Sequence, residues 1–392
     1  MLIFKWYLIF MFNKFKFNKI FNKQVLIILL DKVIGQGKVL FNRFAHKAVG
    51  QAKVLFSRLA NQQPEEIVPE GMLGVSVNNG IVALAHVVVR SLQDISVKSF
   101  GLFTMELVSL DEPNEDQKSV QNIIGKYIKD QNLQRVECCY VLSGSQYVLS
   151  LIEASVTNDN KAREKAILWG IKDYINYSID DAILDSFEVP IVRTQDGVKL
   201  AYAVAMRAKV SEEIGNLINF AGAHLKYIDI NELCLRNIMA LYANMENGCL
   251  LLKLSEENNT ILLVKNNALL ISRNTKLDVK KLDGFDPNNN VADEKFSVAE
   301  NLVLELQRSV DYGNSIFREV HFNSIYISPC NINLDLFIPW AKEQLGMSIN
   351  RINLMEKIKF NQNISLQEQA DCLLAIGAAL RSIGKTHNVS AN

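Results

Sequence analysis

From residue 71 onward, short apolar runs alternate with turn residues and with longer stretches of helical period. Residues 71–89 read as strand, turn, strand, with Asn79-Gly80 as a two-residue hairpin signal. A further strand is predicted over residues 99–107. A helix follows over 116–131, where Val120, Ile123, Ile124, Tyr127 and Ile128 share one face. Strands are predicted at 138–142 and 147–152. Next comes a helix over 160–177 that offers Ala162, Ala166, Trp169, Ile171 and Tyr174 for burial. The strand carrying Phe187-Glu-Val-Pro and the strand 199–206 precede a helix at 211–221, which Gly222 stops.

A second series begins after Asn247-Gly248. Its strands are 249–254, 260–264 and 268–273, with turns at 256–259 and Asn266-Asn267. The charged, Asn-rich stretch 276–293 reads as a surface loop. A long helix over 297–317, a strand at 323–328, a helix at 334–345 and a closing helix at 367–383 complete it. Strands followed by helices, twice over, predict two related α/β lobes and not one doubly wound sheet. The expected division is 1–70, an extension and linker; 71–247, a first lobe with an insertion over roughly 155–230; and 248–392, a second lobe.

The first sixty residues change the picture. They carry eleven Lys and Arg against one acid, Asp31, which leaves a body with 31 bases and 41 acids. A net +10 end joined to a net −10 body points to an end that meets an anionic surface. The segment Gly35-Gln-Gly-Lys-Val-Leu-Phe-Asn-Arg-Phe-Ala45 returns as Gly50-Gln-Ala-Lys-Val-Leu-Phe-Ser-Arg-Leu-Ala60. A helix drifts only ~60° over that period, so both copies share one apolar stripe. The extension is expected to form a basic amphipathic helix. Trp6, Lys38, Leu40, Arg43, Phe44, Lys47, Lys53, Leu55, Arg58 and Leu59 would touch an anionic membrane or a partner's groove. Docking on the protein's own body is the bland alternative. Asn61-Gln-Gln-Pro-Glu-Glu reads as a linker.

Composition narrows the chemistry. With 49% apolar and 21% charged residues the chain is globular. No apolar run approaches the ~20 residues a spanning helix needs, and lysines follow the first run where a signal peptide would place a cleavage site. Six scattered cysteines and five scattered histidines show no zinc or redox spacing, so a reducing compartment is expected. Ser143-Gly-Ser145 lacks the frame of a nucleophile elbow. Asp180, Asp181 and Asp185 read as turn-capping, solvated acids, and Asp229 and Glu232 lack a His or Cys companion. Basic residues interleave with aromatics over 12–21, yet the acidic body makes nucleic acid an unexpected partner.

A family likeness rests on ordered segments. These are Trp169-Gly-Ile-Lys-Asp-Tyr-Ile175, Ile179-Asp-Asp-Ala-Ile-Leu-Asp-Ser-Phe-Glu-Val-Pro190, Phe220-Ala-Gly-Ala-His-Leu-Lys-Tyr-Ile-Asp229 and Asn231-Glu-Leu-Cys-Leu-Arg-Asn237. The strands over 259–273, Leu304-Glu-Leu-Gln-Arg-Ser-Val-Asp-Tyr312 and Ile376-Gly-Ala-Ala-Leu-Arg381 continue it. From residue 72 to 381 the sequence resembles the PilM/MshI family of type IV pilus assembly proteins, especially the mannose-sensitive haemagglutinin (MSHA) branch. The resemblance implies a two-lobed actin-like α/β fold of the duplicated ribonuclease H-like kind, similar to that of the division protein FtsA, with a small insertion subdomain. It further implies a cytoplasmic protein peripheral to the inner membrane, which binds the cytoplasmic N-terminus of a PilN-type partner and has scope for self-association.

Nucleotide in that fold lies between the lobes, held by two hairpin loops whose Asp residues organise Mg²⁺. The family's first loop reads Gly-Ile-Asp-Ile-Gly. Here Gly74-Val-Ser-Val-Asn78 puts Ser76 at the acid and Asn78 at the glycine. Lys253-Leu-Ser255 stands in place of the second loop's Asp-Ile-Gly, and Ser328-Pro-Cys330 in place of a base-binding Gly-Gly turn. Phosphoryl transfer depends on positioning and charge neutralisation, which a hydroxyl and an ammonium do not supply to a metal. The expectation is a scaffold and pseudo-ATPase with no cofactor, ATP being the one candidate ligand. A nucleotide-switched actin-like ATPase and a membrane-surface adaptor outside pilus biology are the alternatives.

Overall fold

The computed structural model describes residues 68–105, 113–154, 167–190, 199–242, 247–255, 258–289, 294–317 and 320–381. The basic extension, with its proposed contact residues from Trp6 to Leu59, lies outside them. Asn79 and Gly80 take positive φ (49° and 71°), the geometry a tight hairpin needs, and so join β1 (Met72–Asn78) to β2 (Ile81–Ser91). β3 (Asp94–Thr104) completes an antiparallel meander. α1 (Pro113–Asp130) then carries the chain over to β4 (Glu137–Val141), parallel to β1. Between β4 and the next parallel strand lies an inserted sheet of β5 (Tyr147–Ala154), β6 (Ala182–Glu188) and β7 (Lys199–Arg207), with β7 central. α2 (Ala208–Ala221) ends at Gly222, whose φ of 97° closes the helix as the sequence predicts. β8 (His224–Asp229) and α3 (Asn231–Met239) finish this lobe.

The second lobe repeats the scheme. β9 (Gly248–Lys253), β10 (Asn259–Lys265) and β11 (Ala268–Thr275) form the meander, turning at Asn266-Asn267 with φ of 50° and 59°. α4 (Glu294–Ile316), β12 (Phe322–Ile327), α5 (Phe337–Leu345) and β13 (Ser348–Arg351) follow. The chain then returns to the first lobe through β14 (Lys359–Phe360) and α6 (Leu366–Ala379), the latter opened by a Ser365–Glu368 capping box. Strand orders are β14-β3-β2-β1-β4-β8 and β11-β10-β9-β12-β13. Removing β14 leaves the same order and the same parallel and antiparallel pairings in both sheets, which is the expected duplication.

Alternation along β1 divides the first lobe's core. Leu73 and Val75 join Ile124 and Ile128 of α1 and Ile214 and Ile218 of α2. The opposite face joins a larger core shared with α3, α6 and the second lobe. Two expectations are corrected. Trp169 and Tyr174 are 66% and 67% exposed, whereas Ile171 is buried. Gly170 lies against Ile152, which turns Trp169 outward, where it stacks on the Lys172 ammonium at 3.6 Å. The stretch 276–293 is more than a surface loop. Val279, Leu282 and Phe285 are buried, and Phe285 packs against Phe296, Phe337 and Trp340. Among the described residues no helix is long and apolar enough to cross a membrane.

Candidate functional site between the lobes

Strand parity decides which residues look into the space between the lobes. A Cβ on Gly74 would fall 2.7 Å from the carbonyl carbon of Ala375 in α6, so Gly74, Ser76 and Asn78 share the α6 side of β1. Ser76 is buried there, opposite Ala83 and Val141, and Asn78 is half-buried at the strand end. In the second lobe Lys253 pairs with Thr260, and Thr260 with Asn274. Ser272 lies on that same face and donates its hydroxyl to Glu232 of α3 (3.4 Å). Arg273, on the other face, reaches Glu305 and Ser309 of α4 (3.3 and 3.0 Å). Lys253 therefore points to the α3 side, into the interlobe region. It makes no hydrogen bond or ion pair with any described residue, and burial lowers its pKa. Ser255 donates its backbone N–H to Asn259 Oδ1 (3.0 Å), which closes the turn after β9. The register of β12 on β9 brings Ser328 beside Lys253, and the Ser328 hydroxyl is buried with no partner among the described residues.

Sequence reasoning placed a hydroxyl and an ammonium at the loops. It missed a buried polar network beside them. Asp229, at the end of β8, is ion-paired with Arg381 and accepts the Ile230 N–H (3.0 Å). Arg381 also stacks on the Tyr227 ring, 4.7 Å from its centroid. Burial pushes the Asp229 pKa up, and Arg381 pulls it back. One turn on, Glu232 accepts from the Tyr147 hydroxyl of β5 (2.6 Å) and from Ser272 of β11. Asn237 donates its side-chain amide to Gly377 O (2.9 Å), tying α3 to α6. Among the described residues no group of three His, Cys, Asp or Glu is arranged to hold a metal. Asp180 and Asp181 sit in a 3-10 turn capped by Ser178, as expected of turn acids, whereas Asp185 is corrected to an exposed residue of β6 that accepts the Ser186 N–H.

Glu232 gives a pH prediction. Burial raises its pKa above the ordinary 4.5, with the Tyr147 and Ser272 hydrogen bonds opposing. The folded state then holds its proton more tightly than the unfolded chain. The associated stability is full below 4.5 and is lost as pH rises through the folded value. Glu232→Gln keeps an acceptor for both donors but cannot titrate. Its stability relative to the parent should improve as pH rises above 4.5 and level off once the folded value is passed, as read by urea denaturation. A difference that stays flat with pH would discard this account.

No family model matches the sequence, and no curated protein matches it. The protein is similar to a solved structure described as a PilM–PilN type IV pilus biogenesis complex. Identity is 18%, with a TM-score of 0.60, over 80% of this chain and 98% of that one. Lesser likenesses are a Bacteroides thetaiotaomicron protein of actin-like ATPase fold and unknown function (8% identity, TM-score 0.42, 78% and 97% covered) and the ethanolamine utilization protein EutJ from Carboxydothermus hydrogenoformans (11%, 0.40, 81% and 91%). At these identities the likeness is one of fold. The protein has a two-lobed, actin-like α/β fold, which it shares with the pilus biogenesis structure.

Proposed function

We propose that the protein is a non-hydrolysing actin-fold scaffold of a type IV pilus assembly platform, of the MSHA-like kind. In this reading it lies in the cytoplasm against the inner membrane, holds the cytoplasmic N-terminus of a PilN-type partner, and uses its basic extension to meet anionic lipid. The observation that carries the reading is the chemistry of the interlobe face. Ser76 and Lys253 occupy the loop positions, and the two buried carboxylates nearby are already engaged, Asp229 by Arg381 and Glu232 by Tyr147 and Ser272. Neither hydroxyl nor ammonium replaces a carboxylate as a hard-cation ligand. The solved relative named as a PilM–PilN complex supports the partner class at the level of fold.

The test has two arms. The purified chain should capture a synthetic peptide of a PilN-type cytoplasmic N-terminus without nucleotide, and it should show no Mg-dependent ATP turnover. Failure to hold the peptide would remove the partner from the proposal. A second reading, a nucleotide-binding or weakly active ATPase that switches platform assembly, draws on the fold itself and on the ammonium of Lys253, which has no partner among the described residues and is turned toward the cleft. It requires Mg-dependent turnover that Lys253→Ala abolishes, and that result would displace the scaffold.

A further inference from the structure

β11 is the outer strand of the second sheet, so its outward backbone groups need partners from elsewhere. One hydroxyl supplies two of them. Tyr202 Oη accepts the Ser272 N–H (3.0 Å) and donates to Leu270 O (3.3 Å). Tyr202 belongs to β7, the central strand of the inserted sheet, and is buried and stacked on Phe187 of β6 at 5.3 Å between ring centroids. Leu149, Leu151 and Phe187 of the same sheet pack against the core that contains Leu270 and Ile271 of β11. The second tie is Glu232, which joins Tyr147 of β5 to the Ser272 hydroxyl. A sheet inserted in the first lobe thus seals the open edge of the second.

We infer that the inserted sheet is a strut that locks the two lobes at one angle, through Tyr202 on the edge of β11 and Glu232 between Tyr147 and Ser272. Opening the cleft would strand the Ser272 N–H, the Leu270 carbonyl and the Glu232 carboxylate together, all of them in buried or half-buried surroundings. A molecule so tied presents one fixed surface, as an assembly scaffold requires, and does not gate its cleft with ligand. This goes beyond the proposed function, since a locked cleft can be empty or hold nucleotide but excludes switching by closure of the lobes.

Hydrogen exchange on the full chain, with small-angle scattering alongside, tests the strut. In the parent, amides of β11 should be protected, and the radius of gyration should be the same with and without Mg-ATP. Tyr202→Phe should speed exchange in β11 about thirtyfold, the loss of two hydrogen bonds at about 1 kcal/mol each, while the inner strands β9 and β10 keep parental rates. Ser272→Ala, a smaller change, should raise exchange at the same strand should Tyr202→Phe fail to fold. Parental exchange in β11 for every variant that folds, or a parent whose radius changes with Mg-ATP, would overturn the lock. ATP turnover with an unchanged radius would overturn the scaffold reading and leave the lock standing.

Discussion

Gly74→Ala should destabilise the protein by more than about 3 kcal/mol, at or beyond the upper end of what overpacking normally costs. The reason is the identity of the obstructing atoms. A Cβ at residue 74 would meet the carbonyl oxygen, carbonyl carbon and Cα of Ala375, all backbone of α6. A side chain can change rotamer to make room, but a helix backbone has to move as a body. α6 has nowhere to go, because its far side is equally close to α3. A Cβ on Gly377 would lie 2.8 Å from the carbonyl carbon of Cys234. The helix is wedged between β1 and α3 with a glycine at each contact, and the small residues Ala375, Ala378 and Ala379 fill the seam. Against a net stability of about 5–15 kcal/mol for an ordinary domain, the loss is a large fraction of the whole. Gly144→Ala is the control, since a Cβ there meets nothing within 4 Å. Denaturation midpoints that agree for the two variants would show that α6 does not approach β1 as described.

Gly74 illustrates what a sequence can and cannot carry. As a residue type it suits a phosphate-binding turn, and the sequence offers no sign that a helix 300 residues on comes down upon it. The lobes themselves were legible because their signals are local. Asn79-Gly80 and Asn266-Asn267 mark hairpins through backbone conformation, and Gly222 ends its helix through a positive φ. Ser76 and Lys253 could be picked out as substitutions in a loop, and period-two alternation was enough to set them on one face once the strands were known. The hidden features are those made by distant residues. Glu232 finds Tyr147 and Ser272 at separations of 85 and 40 residues, and Asp229 finds Arg381 at 152. Read along the chain, both acids show only that no His or Cys stands at ligand spacing from them. Trp169 failed in the opposite sense, because helical spacing allows burial without requiring it. Val279, Leu282 and Phe285 escaped notice because the Asn and Lys around them masked three buried positions at i, i+3 and i+6.

Asp229→Ala should cost about 3–5 kcal/mol, the usual penalty for removing one partner of a buried ion pair. Asp229 is buried and Arg381 is mostly so, with its Nε already lacking a partner among the described residues. Arg236 lies close enough to feel the same carboxylate, and its Nε is also buried without a partner among the described residues. Deleting the acid therefore leaves two guanidinium groups near each other in a poorly solvated site. Among the described residues the Tyr227 ring and Asn237 Oδ1 remain in contact with them, and neither carries a neutralising charge. Neither arginine escapes the cost by deprotonating, because a guanidinium stays charged at any ordinary pH. Asp229→Asn should be nearly as harmful, since it restores an acceptor for the Ile230 N–H but not the charge. The decisive comparison is the double change Asp229→Ala with Arg381→Met, which withdraws both members of the pair and keeps much of the arginine's apolar volume. It should be more stable than Asp229→Ala alone, because removing a whole buried pair is often near neutral while halving it is not. Urea midpoints for the parent, the two single variants and the double variant measure this coupling directly. A double variant that loses the sum of its two single losses would mean that Asp229 and Arg381 act independently and do not fasten α6 to β8.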